Sequence, residues 1–232
     1  IKSSAASDVY KRQMVHCNNC TSDLNAWVGL FAEFAECFNI KADKNTLFST
    51  LYQKAMEGDK DCGGMIACNY YSGEPVTGLE EGRPMFLRRP DSHLGLANFM
   101  RSHLYASLAT LKIGLDILLK EEDVKIDSIT GHGGLFKTKG VGQSILAAAM
   151  NAPISVMETA GEGGAWGMAL LAAYMLSKKD GQSLGDYLDS RVFAERKSET
   201  MEPDLADVAG FETYTKQYQA CLAAEKAAVQ AF

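Results

Sequence analysis

Leu24, Trp27, Val28, Phe31, Phe34 and Ala35 recur every three or four positions, a spacing that predicts a helix with one buried face. The polar run NNCTSD ahead of it offers Thr21, Ser22 or Asp23 as a cap for the first turn. A second helix is expected over Asn45 to Met56, followed by a charged surface turn from Glu57 to Gly64. Met65 to Tyr71 reads as a buried strand, and Met85 to Leu87 as a short one. Between them Ser72 to Arg83, with Pro75 and glycines at 73, 78 and 82, reads as a loop. Leu96, Met100, Leu104, Leu108, Leu111, Leu115 and Leu118 form the longest helical stripe, which ends in the charged turn Lys120 to Asp123.

The pattern then changes. Ile126 to Thr130 reads as a strand, GHGGLFKTKG as a glycine-rich turn, and Val141 to Met150 as a helix with Val141, Ile145 and Ala149 on one face. Pro153 to Met157 is the next strand and Gly163 to Leu176 the next helix, apolar all round and so expected to be buried on several sides. This order predicts an α/β fold in which a truncated mixed sheet is flanked by helices, with a right-handed crossover. Beyond Lys178 the chain is charged and Ala-rich, with helices expected near Ser183 to Phe193 and Phe211 to Phe232. Ile1 to Gln13 is polar and lacks an apolar period, and reads as a non-native or disordered tail. The expected organisation is a tail over 1–13, a lobe over 14–180 and a helical extension over 181–232, with the sheet ending at Met14 to Cys17 in an unpaired edge or one covered by the tail.

Composition narrows the function. A formal charge of -6 and a pI near 5.3, with no basic stripe, argue against nucleic acid as a partner, though a nucleotide held by backbone amides stays open. The six cysteines lack the density of a secreted disulfide scaffold and read as reduced thiols. The longest apolar run, Ala165 to Leu176, is too short to cross a bilayer, so a cytoplasmic protein without a membrane partner is expected. Cys17 and Cys20 form a single CxxC, too few ligands for a tetrahedral metal site, and no metal-binding residue is assigned.

Candidate chemistry lies in two turns. Thr130-Gly131-His132-Gly133-Gly134 stands between a strand end and a helix start, where glycines let a phosphate or ribose approach the main chain. A merely tight structural turn is the competing reading. No GxxxxGK[ST] run exists, which excludes a P-loop. The second turn, Glu158 to Gly167, has Gly163, Gly164, Ala165 and Gly167 at a helix start, where close packing against the neighbouring turn is expected.

Two such turns in successive strand–helix units, after a long helix, resemble the C-terminal lobe of the FGGY carbohydrate kinases. The likeness includes Ser22-Asp23-Leu24-Asn25-Ala26-Trp27, the loop Tyr70 to Pro75, the Gly133-Gly134 turn, and Gly163-Gly164-Ala165-Trp166-Gly167-Met168-Ala169. It implies an actin-like, ribonuclease H-like ATPase lobe that uses ATP and Mg²⁺ to phosphorylate a ketopentose such as ribulose or xylulose. By similarity Gly133 and Gly134 lie against the α-phosphate and adenosine, and Thr138 stands where many relatives have a nucleotide-contacting asparagine. Ser22 replaces a glycine, with Asn25 beside it on the adenine side. The family's catalytic aspartate and its sugar-binding lobe do not precede Met14, so no residue of this chain is named catalytic and the chain by itself is expected to be inactive. A homodimer is compatible with the likeness. The rival reading is an actin-like or Hsp70-like nucleotide-binding module that assembles or signals, in which Tyr70 to Pro75 would serve contacts instead of a sugar cleft.

Overall fold

The computed structural model describes residues 16–121, 126, 128–158, 160–194 and 198–231. The expected tail, Met14 and Val15, most of the charged turn after Lys120, and Thr159 lie outside the described residues.

The first helix, α1, covers Ser22–Cys37 and buries Asp23, Leu24 and Val28. Thr21 precedes it without a side-chain capping bond, contrary to the expected cap. In α2, Lys44–Ala55, the cap is supplied by Asp43, whose Oδ1 accepts from the N–H groups of Asn45 (3.0 Å) and Thr46 (3.1 Å). Strand β1, Met65–Cys68, is buried throughout and pairs antiparallel with β2, Met85–Arg88. The chain stops being strand at Cys68 because Tyr70 turns inward and its hydroxyl meets Thr110 Oγ1 at 2.8 Å.

Helix α3, Leu96–Asp116, is the centre of the molecule. The middle of its apolar stripe, Met100, Leu104 and Leu108, is buried, while Leu96 is exposed; Arg101, Ser102, His103 and Thr110 on its other faces are buried too, because α2, β1, α4 and α7 enclose it. A π-helical turn, Ile117–Glu121, follows. Strand β3, Ile129–Gly131, leads through a one-turn 3-10 helix at Gly134–Phe136 to α4, Val141–Met150, and then to β4, Ile154–Met157, parallel to β3. The last elements are α5 (Gly163–Ser177), α6 (Leu184–Tyr187) with a π-helical turn Leu188–Val192, β5 (Ser198–Met201) and α7 (Leu205–Ala231).

Strand β5 is the element the pattern concealed. Ser198, Glu199 and Thr200 are polar and exposed, so the segment carries no apolar alternation, yet it pairs antiparallel with β4 and completes a mixed sheet in the order β3-β4-β5. Among the described residues this sheet therefore has two unpaired edges, β3 and β5. Cys17 belongs to no strand; the segment beside it docks on the loop after β1 instead, where Glu74 Oε2 accepts from the N–H groups of Asn18 (2.9 Å) and Asn19 (3.2 Å).

Two further expectations change. Helix α7 starts six residues before Phe211 and runs through the core: Phe211, Tyr214 and Tyr218 are buried, and Tyr214 Oη donates to Ser102 O at 2.8 Å. Helix α5, expected to be buried on several sides, instead leaves Met168, Leu171, Met175 and Leu176 exposed, Leu176 by 91%. Apolar composition demands a cover, and no described element supplies one on that face.

Candidate functional site

The two glycine turns picked out in the sequence meet beyond the carboxyl ends of the parallel strands. Gly133 adopts φ 111° and ψ −178°, backbone that glycine tolerates far better than other residues, and its N–H donates to Ala160 O at 2.8 Å. That bond ties the first turn to the second. The turn then closes on itself, with Phe136 N–H donating to Gly133 O and Lys137 N–H to Gly134 O, both at 3.1 Å. Lys137 lies over the second turn, since a Cβ placed on Gly161 would come within 3.0 Å of Lys137 Cγ.

Physical reasons separate these glycines. A Cβ on Gly131 would lie 2.5 Å from the Phe136 ring, and one on Gly142 would lie 2.5 Å from Leu135 O, so both are small because the turn packs tightly on strand and helix. Gly133 answers to its backbone angle. Gly134 answers to neither: it is exposed, its φ is not positive, and an added Cβ would meet no heavy atom within 4 Å. Its N–H has no acceptor among the described residues. Of the two amides expected to be bare, the Gly133 group is thus engaged and the Gly134 group is open. In the second turn the packing argument fails, because added Cβ atoms on Gly164 and Gly167 would also meet nothing within 4 Å.

Beside the first turn opens a cleft of about 550 Å³. One wall is the turn from Phe136 to Gly140, the floor includes Gln143 of α4, and the far wall is the end of β4 with Ser198 and Glu199 of β5. Gln143 is buried and braces the cleft: its Nε2 donates to Ile154 O at 2.7 Å and to Glu199 O at 2.8 Å, holding both strands to α4. Lys139 Nζ pairs with Glu199 Oε2 at 3.2 Å, joining the two walls through exposed side chains. Gly140, with φ 81°, turns the chain into α4.

Thr138 lines this cleft and is buried. Gly133 and Gly134 form the bend leading into it. Ser22 and Asn25 do not join them; they are exposed on α1, which packs on α2 and α3, and neither lines the cleft. His132 is exposed beside the glycines. Trp166 is half-buried and meets Phe193 edge-on at 5.9 Å, on α5 and away from the cleft lining.

The loop after β1 is a separate, well-braced feature. Asn19 Oδ1 accepts from the N–H groups of Tyr71 (2.8 Å) and Ser72 (3.1 Å), while burial pushes up the pKa of the Tyr70 phenol. Gly73 and Gly82 are packing glycines there, their added Cβ atoms falling 2.2 Å from Glu80 O and 2.5 Å from Tyr70 O.

The sequence profile of the FGGY family of carbohydrate kinases, C-terminal domain, matches residues 6–176. The chain belongs to this FGGY family. Solved structures agree in fold. The xylulose kinase of Rhodospirillum rubrum superposes with a TM-score of 0.61 at 19% identity, over 90% of this chain and 38% of that one. Gluconate kinase from Lactobacillus acidophilus gives 0.59 at 19%, over 84% of this chain and 38% of that one. Plasmodium falciparum glycerol kinase with ADP gives 0.55 at 17%, over 83% and 36%. This FGGY chain thus spans a little over a third of the length of those kinases, and its mixed sheet with flanking helices is a lobe of the actin-like ATPase fold. No curated protein sequence matches it.

Sequence reasoning had no means to assign Gln143, Ser198 and Glu199 to the FGGY lobe's cleft. Gln143 looks like a polar residue on an amphipathic helix, and β5 carries no strand signal, so only the folded chain brings them to Thr138.

Proposed function

We propose that this chain forms the adenosine-side nucleotide site of an ATP-dependent sugar kinase, with the sugar and the base that activates its hydroxyl held by a further lobe. The reading rests on Gly134, which has an exposed N–H and open space where a side chain would stand, at the bend beside a cleft wide enough for a nucleoside. A close-approaching anion needs that combination, whereas a tight turn alone needs only the packing seen at Gly131 and Gly142. When bound, ATP supplies the phosphoryl group.

The residues present fit the nucleotide. The Gly134 N–H donates to a phosphate oxygen, Thr138 offers a hydroxyl within the cleft, and Gln143 keeps the walls at a fixed separation without touching the ligand. Phosphoryl transfer depends chiefly on such positioning and on charge stabilisation. Among the described residues no group of three His, Cys, Asp or Glu converges. No residue here is therefore assigned to Mg²⁺, an ion that in kinases is held by one or two carboxylates together with phosphates and water.

The substrate in this reading is a ketopentose, ribulose or xylulose, in keeping with the likeness to xylulose kinases, and the enzyme works in the cytoplasm where ATP is available. Without the sugar lobe the chain binds ADP or ATP weakly and turns over nothing. Calorimetric titration of ADP into the chain tests the site: a saturable heat with one ADP per chain, lost in Gly134→Val, is expected, and no heat at millimolar ADP would overturn the proposal. Substrate choice is read by assaying the enzyme with its sugar lobe on xylulose, ribulose, gluconate and glycerol, with the ketopentoses expected to be phosphorylated fastest.

A further inference from the structure

Two cysteines that the proposed nucleotide site does not use meet in the core. Cys68 ends β1, Cys221 lies on α7, and their Sγ atoms are 3.0 Å apart although the residues are separated by 153 positions. Their side chains point at each other, and only about 1 Å separates this distance from the bonded length of a disulfide.

The pair is held in register from both sides. Next to Cys68 in β1, the Ala67 N–H donates to Tyr214 Oη at 3.3 Å, and beyond it Asn69 Oδ1 accepts from Tyr218 Oη at 3.3 Å. Tyr214 and Tyr218 stand on the same inner face of α7 as Cys221, two turns and one turn before it respectively. The other four thiols are elsewhere: Cys17, Cys20 and Cys37 have solvent access, and Cys62 is buried at the turn before β1.

We propose that Cys68 and Cys221 form a site of reversible oxidation, closing to an internal disulfide that fastens α7 to β1 when the protein meets a peroxide. The two thiols have different roles. Cys221 is the one with solvent contact, 9% exposed against 0% for Cys68. With Cys68 as hydrogen-bond donor, that bond holds the Cys221 thiol below its ordinary range, while the same bond and burial push Cys68 up. The Cys221 thiolate attacks one peroxide oxygen, the O–O bond breaks, and hydroxide leaves, giving a sulfenic acid on Cys221. The Cys68 sulfur then attacks the Cys221 sulfur; the S–S bond forms and the sulfenic hydroxyl departs as water with the proton of Cys68. Two electrons pass from the thiol pair to the peroxide, and a dithiol reductant reverses the change.

The test uses the whole chain, reduced and then treated with limiting hydrogen peroxide, alkylated, digested without reductant and mapped by mass spectrometry. A peptide containing Cys68 joined to one containing Cys221, separated by dithiothreitol, is expected, and the thiols titrated in denaturant fall by two from the six of the sequence. The joined peptide is expected also in a Cys20→Ser/Cys37→Ser chain, whose altered positions are exposed. Cys221→Ser should leave Cys68 as a free thiol. Recovery of Cys68 as an unmodified thiol after the exposed cysteines have reacted, or its pairing with any cysteine other than Cys221, would overturn the proposal.

Discussion

Arg101 shows how much of a core can be invisible along the chain. It lies off the apolar stripe of α3, yet it is 1% exposed, because its guanidinium pairs with Asp207 of α7 and donates to Tyr105 Oη at 3.1 Å and 2.9 Å. Lys60 Nζ reaches the same carboxylate at 2.8 Å from the surface. Sequence spacing predicted the helix but could not reveal a partner 106 positions away. Removing one member of a buried pair leaves the other charge poorly compensated, so Arg101→Met is expected to cost about 3–5 kcal/mol, measured by urea unfolding. Glu225 makes a different claim. It is fully buried, its Oε2 has no hydrogen-bond partner among the described residues, and burial raises its pKa. A carboxyl whose folded pKa is raised holds its proton more tightly in the native state, so its contribution declines as pH rises from the ordinary glutamate range through the raised value. The wild type should therefore gain stability relative to Glu225→Gln on going from pH 7 to pH 5, read as the difference in unfolding midpoints. An unchanged difference would show that the carboxyl titrates alike in both states.

Among elements, legibility followed apolar periodicity. Helices α1, α2 and α4 and strands β1, β2 and β4 lie where the pattern puts them, within a few residues, because each has one face or both against the core. Strand β5 was missed because pairing with β4, not burial, makes it a strand. For α5 the type was legible and the surroundings were not: an all-apolar helix implies cover, and the described residues leave its outer face in water. Substitution there should accordingly be cheap for this chain. Met175→Lys is expected to change stability by no more than about 0.5 kcal/mol in thermal or urea unfolding, the usual range for an exposed position. Ile145→Ala, in the buried face of α4, is expected to cost about 2–5 kcal/mol.

At the scale of the molecule, the FGGY lobe was legible because two glycine turns follow two strands in the right order, a property of spacing that survives low identity. The cleft was legible only in part. Thr138 and the Gly133-Gly134 bend that leads to it could be named from the turn after β3, but Ser198 and Glu199 of the far wall come some 60 positions later, and Ser22 and Asn25 are exposed on α1 instead. The proposed function requires the open amide of Gly134 beside this cleft to receive a nucleotide. Hydrogen exchange of the chain with and without saturating ADP tests it most directly. Slowed exchange is expected across the peptide containing Gly134 to Thr138, and none in Gly134→Val, a variant the fold should accept because an added Cβ has open space there. Unchanged exchange in that peptide at saturating ADP, with protection elsewhere or nowhere, would contradict it.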